Sequence, residues 1–233
     1  MMAEHDIPEA RRFSGLFSYK TLNYVYQQMI DLVFPPRCQH CGRVDTNFCT
    51  TCETTLKIIP INIVLDDIAP MLAVASTGEH SNILQSSVQA LKYNRGQSLG
   101  KLHAQRLKTV LDSLDWDVDI IIPVPLHEAR LKERGYNQAK EISEPLAEMC
   151  NIIHEDNVLI RENQTRSQVG LNRVERLDNV KGAFAVSSSI LIDKTVLLVD
   201  DVKTTGATMS ACADALLSSG AKAVYGISVT TAS

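Results

Sequence analysis

Two adjacent carboxylates and a threonine-rich turn are the residues of this 233-residue chain that best suit a chemical role. Asp200 and Asp201 are followed at once by hydroxyl side chains around a glycine: Thr204, Thr205, Gly206 and Thr208. Hydroxyls and backbone N–H groups in a close turn suit a phosphate, because glycine lets the chain approach the anion. The carboxylates suit the vicinal hydroxyls of a sugar or, through water, a divalent metal ion. The stretch therefore predicts a site for a phosphorylated sugar.

A strand, a loop and a helix are predicted to position these groups. Residues 195–199 are β-branched and aliphatic, which is typical of a buried parallel strand. Residues 209–219 have helical spacing and end at Gly220, so a helix N-terminus lies at a sheet edge, where it stabilises an anion. The loop has neither a Walker A lysine nor a G-x-G-x-x-G pattern, which disfavours nucleoside triphosphates and dinucleotides. The stretch resembles the phosphoribosyl-pyrophosphate (PRPP) motif of type I phosphoribosyltransferases; an ordinary strand, turn and helix with surface acids is the alternative.

Four cysteines near the N-terminus form two C-x-x-C pairs: Cys38, Cys41, Cys49 and Cys52. This spacing is typical of a structural Zn²⁺ site, in which four thiolates complete a tetrahedron. His40 is an alternative to one thiolate, although four cysteines already suffice. Disulfides are the other interpretation, and the polar, acidic first ten residues, which do not form an export signal, disfavour them. With no ligand position left open, the metal is expected to hold structure and not to do chemistry.

The remaining pattern predicts an α/β fold in which a parallel sheet has helices on both faces. Strands are expected at residues 71–75, 119–124 and 223–230, and helices at residues 81–91, 99–114 and 136–150. Apolar spacing in residues 19–33 predicts an amphipathic helix that ends at two prolines. The chain is thus expected to have three parts: an N-terminal lead-in and helix (1–34), a four-cysteine zinc finger (35–56) and the α/β domain (57–233).

Three groups of cations add to the predicted site. Lys92 and Arg95 stand beside a glycine and suit a diphosphate, or are simply solvated. The basic, glycine-containing segment 127–140 suits a lid over an anionic substrate, or an exposed charged helix. Arg166, Arg173 and Arg176 belong to an arginine-rich stretch that suits a cleft for anions or bases, or an exposed helix. The residues alone leave these alternatives open.

Charge and hydropathy exclude some classes of protein. The net charge of −4 argues against coating of nucleic acid by the whole surface, although a local basic groove remains compatible with it. No apolar run approaches the roughly 20 residues that span a bilayer. We therefore expect a cytoplasmic protein with no integral membrane segment.

Several motifs in order resemble the ComF family. They are the two C-x-x-C pairs, Leu91-Lys92-Tyr93, Pro123-Val124-Pro125-Leu126, Arg134-Gly135-Tyr136-Asn137-Gln138-Ala139, Thr165-x-x-Gln168 with Arg176 and Asn179, Gly182-Ala183-Phe184, and the acidic pair with its threonine turn. The resemblance covers nearly everything from residue 33 onward. It implies a type I phosphoribosyltransferase fold behind a zinc-ribbon-like finger. It also implies a cytoplasmic role in DNA uptake during natural transformation.

The resemblance assigns roles to individual residues. Asp200 and Asp201 would hold the ribose hydroxyls of PRPP, and the 5-phosphate would be wrapped by Lys203, Thr204, Thr205, Gly206, Ala207 and Thr208. The turn of Lys92 and Tyr93 would carry the pyrophosphate, with Mg²⁺ bridging it to the ribose. Arg134 would close the site as part of a lid and, with Asp200 and Asp201, count among the catalytic residues. Metal and cations in a site closed to water would stabilise an oxocarbenium-like centre and the departing pyrophosphate. Thr204 stands where purine-salvage enzymes have a carboxylate, which disfavours that activity.

Three functions are compatible with these features. The first is an enzyme that transfers ribose 5-phosphate from PRPP to an unknown nitrogen acceptor. The second is a module that holds single-stranded DNA, with arginines on phosphates and Tyr93 or Tyr136 stacked on bases. The third is a PRPP sensor that controls binding to other cytoplasmic DNA-uptake proteins.

Overall fold

The computed structural model describes residues 35–92, 98–161 and 183–232 of the chain. Within them a six-stranded sheet carries the acidic pair near the carboxyl end of one of its inner strands. Its strands are β1 (Val64–Asp66), β2 (Val74–Ser76), β3 (Ile120–Pro123), β4 (Ile153–His154), β7 (Thr195–Lys203) and β8 (Ala223–Thr231). Their order is β1-β2-β8-β7-β3-β4, and every neighbouring pair is parallel except the antiparallel pair β1 and β2. Two further strands, β5 (Leu159–Arg161) and β6 (Phe184–Val186), form a separate antiparallel pair.

Helices cover both faces of this sheet. The described helices are α1 (Thr50–Ile58), α2 (Asn82–Ala90), α3 (Ser98–Leu111), α4 (Glu128–Arg134), α5 (Gln138–Cys150) and α6 (Ala207–Ser218). Buried side chains of α1, α2, α3 and α5 form one core with Leu197 and Val199 of β7. Buried side chains of α6 and of the small β5–β6 sheet form a second core with Val196 and Leu198. A strand covered on both faces needs apolar residues at consecutive positions, which explains the aliphatic run in β7.

The predicted fold class is therefore confirmed, with shifts at the element ends. The strand expected at residues 71–75 begins only at Val74, because Met71 donates its N–H to the carbonyl of Ile68 and closes a turn. The helix expected to reach residue 114 ends at Leu111. The strand expected to end at residue 199 continues to Lys203, since β8 pairs with it along the whole distance.

The cysteine cluster packs directly on the α/β part. Cys38, Phe48 and Leu56 are buried in the same core as α2 and α3. The Arg106 guanidinium of α3 donates hydrogen bonds of 3.1 Å to the carbonyls of Leu56 and Ile59, at the end of α1. The described residues from Arg37 onward thus belong to one compact unit, and α1 spans the boundary expected at residue 56. No helix among the described residues has the length and apolar character that crossing a membrane requires.

The predicted N-terminal lead-in and helix (1–34) lie outside the described residues, as do Tyr93, Arg95 and the arginine-rich stretch.

Candidate functional site

The threonine turn joins β7 to α6 at the edge of the sheet. Thr204, Thr205 and Gly206 lie between the last residue of the strand and the first residue of the helix. Gly206 has φ 77°, in the left-handed region that glycine adopts without strain. A Cβ at this position would lie 2.6 Å from Cδ1 of Ile68, so the packing also excludes a side chain. The local sequence therefore specifies a tight turn at the helix N-terminus.

The backbone donors of this turn are available to a ligand. Among the described residues, no carbonyl accepts a hydrogen bond from the N–H groups of Thr204, Thr205 or Gly206. The N–H of Ala207 has only a long contact of 3.4 Å to Oγ1 of Thr205. The first N–H groups of a helix have no partner within the helix, and the helix dipole adds partial positive charge there. The arrangement suits an anion such as phosphate.

The acidic pair lies within β7, whereas the sequence predicted that the pair would follow the end of the strand. Asp200 therefore shares the face of Val196 and Leu198, which pack against α6. Asp201 follows it directly, and the two carboxyl groups lie close enough to interact with each other.

Asp200 lies in a buried environment that disfavours its charge. Burial and, after it, the charge of Asp201 raise the pKa of the Asp200 carboxyl well above its ordinary value. The N–H of Asp201 donates a 2.8 Å hydrogen bond to Oδ1 of Asp200, and the Arg161 guanidinium opposes the shift. That guanidinium lies 5.5 Å from the centre of the Phe184 ring. Arg161 thus brings the small β5–β6 sheet to the acidic pair.

Asp201 faces His80 and Lys92. Burial lowers the pKa of His80, the charge of Lys92 lowers it further, and Asp201 opposes both. Nδ1 of His80 lies 2.8 Å from Oγ1 of Thr230, which fixes the ring at the end of β8. Lys92 is exposed at the end of α2. The structure therefore brings Lys92, predicted as a pyrophosphate ligand, to the same end of the sheet as Asp201.

Lys203 is placed differently from its neighbours in the turn. Its ammonium group donates to the carboxylate of Asp66 on β1, and its side chain is only 8% exposed. The predicted contact of Lys203 with a phosphate stays a prediction, but in this structure the cation already has a carboxylate partner. Ala207 and Thr208 lie in the first turn of α6, beside the free amides.

The predicted lid segment forms helix α4, which buries none of its residues. Nδ1 of His127 accepts a hydrogen bond from the N–H of Ala129 at its start, and Gly135 ends it with φ 85°. In the described part of the chain Arg134 makes no hydrogen bond or ion pair with either carboxylate. Burial lowers the pKa of Arg161, and the charge of Arg130 in α4 lowers it further. Residues 128–134 of the segment thus form an exposed charged helix, and its closure over a substrate stays a prediction.

Three residues near the site were not predicted from the sequence. Asp66, His80 and Arg161 belong to no motif, and each meets the site through residues that are distant in the chain. His80 had one usable signal: it follows β2, and polar residues after parallel strands line the ligand crevice of such sheets. Arg161 and Asp66 had no signal of this kind.

The four cysteines form a separate cluster of metal-ligand geometry. Their Sγ atoms all lie within 4.8 Å of one another, with 3.7 Å between Cys38 and Cys52 and 3.6 Å between Cys41 and Cys49. Four thiolates about 2.3 Å from a tetrahedral Zn²⁺ have sulfurs about 3.8 Å apart. All four thiols are free, so the disulfide alternative does not hold. The residues present therefore fit a closed four-thiolate metal site.

The backbone favours a thiolate at Cys38, whereas burial and the neighbouring cysteines raise the pKa of Cys52. Burial opposes ionisation of Cys38, but backbone N–H groups of Cys41, Cys49 and His40 hydrogen-bond its sulfur, and the pKa falls to about 6. Gly42 has φ 75° and makes the turn after Cys41. Such N–H to sulfur bonds are what a metal-binding thiolate needs from its surroundings.

Comparison with known proteins finds relatives that match most of the chain. Residues 133–232 match the family model of the phosphoribosyl transferase domain. The chain is 31% identical over 183 residues to Competence protein F of Haemophilus influenzae, covering 75% of this chain and 76% of that protein. It is 27% identical over 199 residues to DNA utilization protein YhgH of Escherichia coli K12, covering 80% and 85%. It is 35% identical over 103 residues to Competence protein ComFC of Streptococcus pneumoniae R6, covering 44% of each.

Proposed function

Because this chain belongs to the ComF family, we propose that its phosphoribosyltransferase domain binds PRPP with Mg²⁺ and serves DNA uptake during natural transformation. The single observation that carries the proposal is the turn before α6. Its N–H groups lack acceptors among the described residues, and the acidic pair stands beside them at the end of the same strand. A phosphorylated sugar would use the amides for its phosphate and the carboxylates for its hydroxyls. The cytoplasm, where PRPP is made and thiols stay reduced, is the proposed place of action.

Each part of PRPP has a proposed partner. The 5-phosphate accepts hydrogen bonds from the amides and hydroxyls of residues 204–208. Asp200 and Asp201 accept hydrogen bonds from the ribose hydroxyls. Lys92 and Tyr93 meet the pyrophosphate, and Mg²⁺ neutralises its charge next to the ribose. The charges of Lys92 and Asp201 both act on His80, which supports placing the pyrophosphate and the ribose at the same end of the sheet.

If ribose 5-phosphate is transferred, electrostatics are expected to supply most of the rate. Departure of pyrophosphate leaves positive charge on the ribose, which the Asp200 and Asp201 carboxylates stabilise. Arg134 and the other α4 cations would approach the leaving group from the exposed side and exclude water. The acceptor is proposed to be a nitrogen base. Thr204 stands in place of the carboxylate that would deprotonate a purine, so the purine-salvage reaction is disfavoured.

The cysteine cluster is proposed to hold one structural Zn²⁺. The sulfur separations of 3.6 and 3.7 Å and the buried positions of Cys38, Cys49 and Cys52 support this assignment. Because the finger shares a core with α2 and α3, the metal would also stabilise the helices that flank Lys92.

A second candidate function is a single-stranded DNA module, alone or with a PRPP-sensing role towards other DNA-uptake proteins. The observation that favours it is helix α4, none of whose residues is buried and which carries the cations Arg130, Lys132 and Arg134. Binding through such cations weakens steeply with salt. A flat salt response of oligonucleotide binding would contradict this candidate. Release of pyrophosphate with a panel of bases would separate an enzyme from a sensor.

The test of the proposed pocket is a calorimetric titration with Mg–PRPP. Asp200→Ala combined with Asp201→Ala should abolish binding. Asp214→Ala, which removes an exposed carboxylate from the middle of α6, should leave the affinity unchanged. Equal affinity of the wild-type chain and the double variant would rule out the pocket and, with it, both the enzyme and the sensor.

A further inference from the structure

One short segment, residues 66–69, runs from the end of β1 into the loop before β2. It contacts the threonine turn (204–206), the end of β7 and the start of α6, at one point each. The Asp66 carboxylate accepts from the ammonium group of Lys203, the last residue of β7. The Ile68 side chain lies against Gly206, the residue before α6. The carbonyl of Ala69 accepts a 2.7 Å hydrogen bond from Oγ of Ser210, in the first turn of α6. The segment thus holds the strand, the turn and the helix that surround the free amides.

The ion pair determines what Lys203 can do. Its side chain is 8% exposed and that of Asp66 is 31% exposed, so the ammonium group has little access to water. A charge in such a place needs a partner of opposite sign. Moving Lys203 onto a phosphate would leave Asp66 without its cation. The geometry therefore favours a structural use of this lysine over direct contact with the ligand.

Ile68 and Ala69 fix the turn by packing and by a hydrogen bond. The absent Cβ of Gly206 leaves the space that Ile68 fills, since a Cβ there would lie 2.6 Å from Cδ1 of Ile68. A cavity of about 200 Å³ lies beside these contacts, between the segment and the turn, and its lining also includes Asp67, Thr205 and Ala207. The contact of Ile68 with Gly206 and the bond from Ser210 are thus localised points of attachment.

We propose that residues 66–69 are a positioning clamp, which holds the turn in its anion-binding conformation, and that Lys203 acts through Asp66 and not on the phosphate. This inference rests on the proposed function for its effect on PRPP affinity. Its structural part, the ordering of the turn, does not depend on any ligand.

The affinity test is a double-mutant cycle on Asp66 and Lys203, read by titration of Mg–PRPP. The clamp predicts that Asp66→Asn and Lys203→Met each weaken binding by about tenfold, and that the double variant is no weaker than either alone. Asp66→Glu should restore most of the affinity. Lys194→Met breaks an ion pair with Asp119 at the other end of β7 and should change nothing. Loss of affinity in Lys203→Met alone, with Asp66→Asn binding as tightly as the wild type, would overturn the clamp.

Hydrogen exchange of the ligand-free protein tests the ordering of the turn. The backbone amides of residues 210–212, the first of which donates a 2.8 Å hydrogen bond to the carbonyl of Gly206, should exchange about tenfold faster in Asp66→Asn and in Ser210→Ala, with β8 unchanged. Ser210→Ala leaves no buried charge and is expected to fold even if Asp66→Asn does not. Unchanged exchange at these amides in Ser210→Ala and in Ile68→Ala would overturn the clamp. A wild-type chain that does not bind PRPP, but whose variants show faster exchange, would overturn the proposed function and support the clamp.

Discussion

Substitution of Gly206 by alanine perturbs the threonine turn, and the structure allows the free-energy cost of this change to be worked out. Gly206 has φ 77°, and an alanine in the left-handed region costs about 1–2 kcal/mol. The new Cβ would lie 2.6 Å from Cδ1 of Ile68, and turning that side chain off its rotamer costs about 0.5–1.5 kcal/mol more. The turn relieves this strain by leaving its conformation, and ligand binding must restore it. We expect Gly206→Ala to weaken Mg–PRPP binding by about ten- to several-hundred-fold.

The matched control lies at the other end of the same helix. Gly220 has φ 98°, and its added Cβ would meet Ile192 only at an ordinary 3.5 Å. Gly220→Ala therefore introduces similar backbone strain without the clash and far from the turn. Titration calorimetry should show normal PRPP affinity for Gly220→Ala, while urea denaturation shows that both variants are less stable. Normal PRPP affinity in Gly206→Ala would refute the proposal that the threonine turn binds the 5-phosphate.

Further expectations concern the metal site, stability and the acidic pair. Metal analysis should find one zinc per chain, lost in Cys41→Ser and retained in Cys212→Ser; full zinc content in Cys41→Ser would contradict the four-thiolate site. Burial, and the nearby Arg106, lower the pKa of His103 in the folded chain to about 3. Below pH 6.5, the ordinary pKa of histidine, the unfolded chain therefore binds a proton at His103 that the folded chain does not. Stability should therefore fall with decreasing pH, by about 2 kcal/mol from pH 6.5 to 5 in urea denaturation, and less in His103→Gln. The raised pKa of Asp200 means that binding of Mg–PRPP, which favours the carboxylate, should release protons and weaken as the pH falls. Asp200→Asn should remove this pH dependence, and an equal dependence in that variant would exclude Asp200 as its source.

The parts of the site that could be predicted from the sequence are those fixed by neighbouring residues. The cysteine cluster is closed by ligands no more than 14 positions apart, so their spacing alone predicts the tetrahedron. The threonine turn depends on one glycine and on the helix that follows, and both can be recognised from neighbouring residues in the sequence. The alternation of strands and helices likewise predicts the parallel sheet and its covered faces.

The parts that could not be predicted depend on contacts between distant residues. Lys203 and Asp66 are 137 positions apart, and nothing near either residue indicates the other. The strand was expected to end at residue 199, because carboxylates are depleted from strands. Pairing with β8 overrides that preference and carries the strand to Lys203. The extension places Asp200 and Asp201 within the strand, which a loop assignment could not foresee.

A crystal structure of the chain soaked with PRPP and Mg²⁺ tests the central claim most directly. The 5-phosphate should accept hydrogen bonds from the amides of residues 204–208, with the ribose hydroxyls on Asp200 and Asp201. PRPP bound elsewhere, or a turn that holds no phosphate at saturating PRPP, would contradict the account.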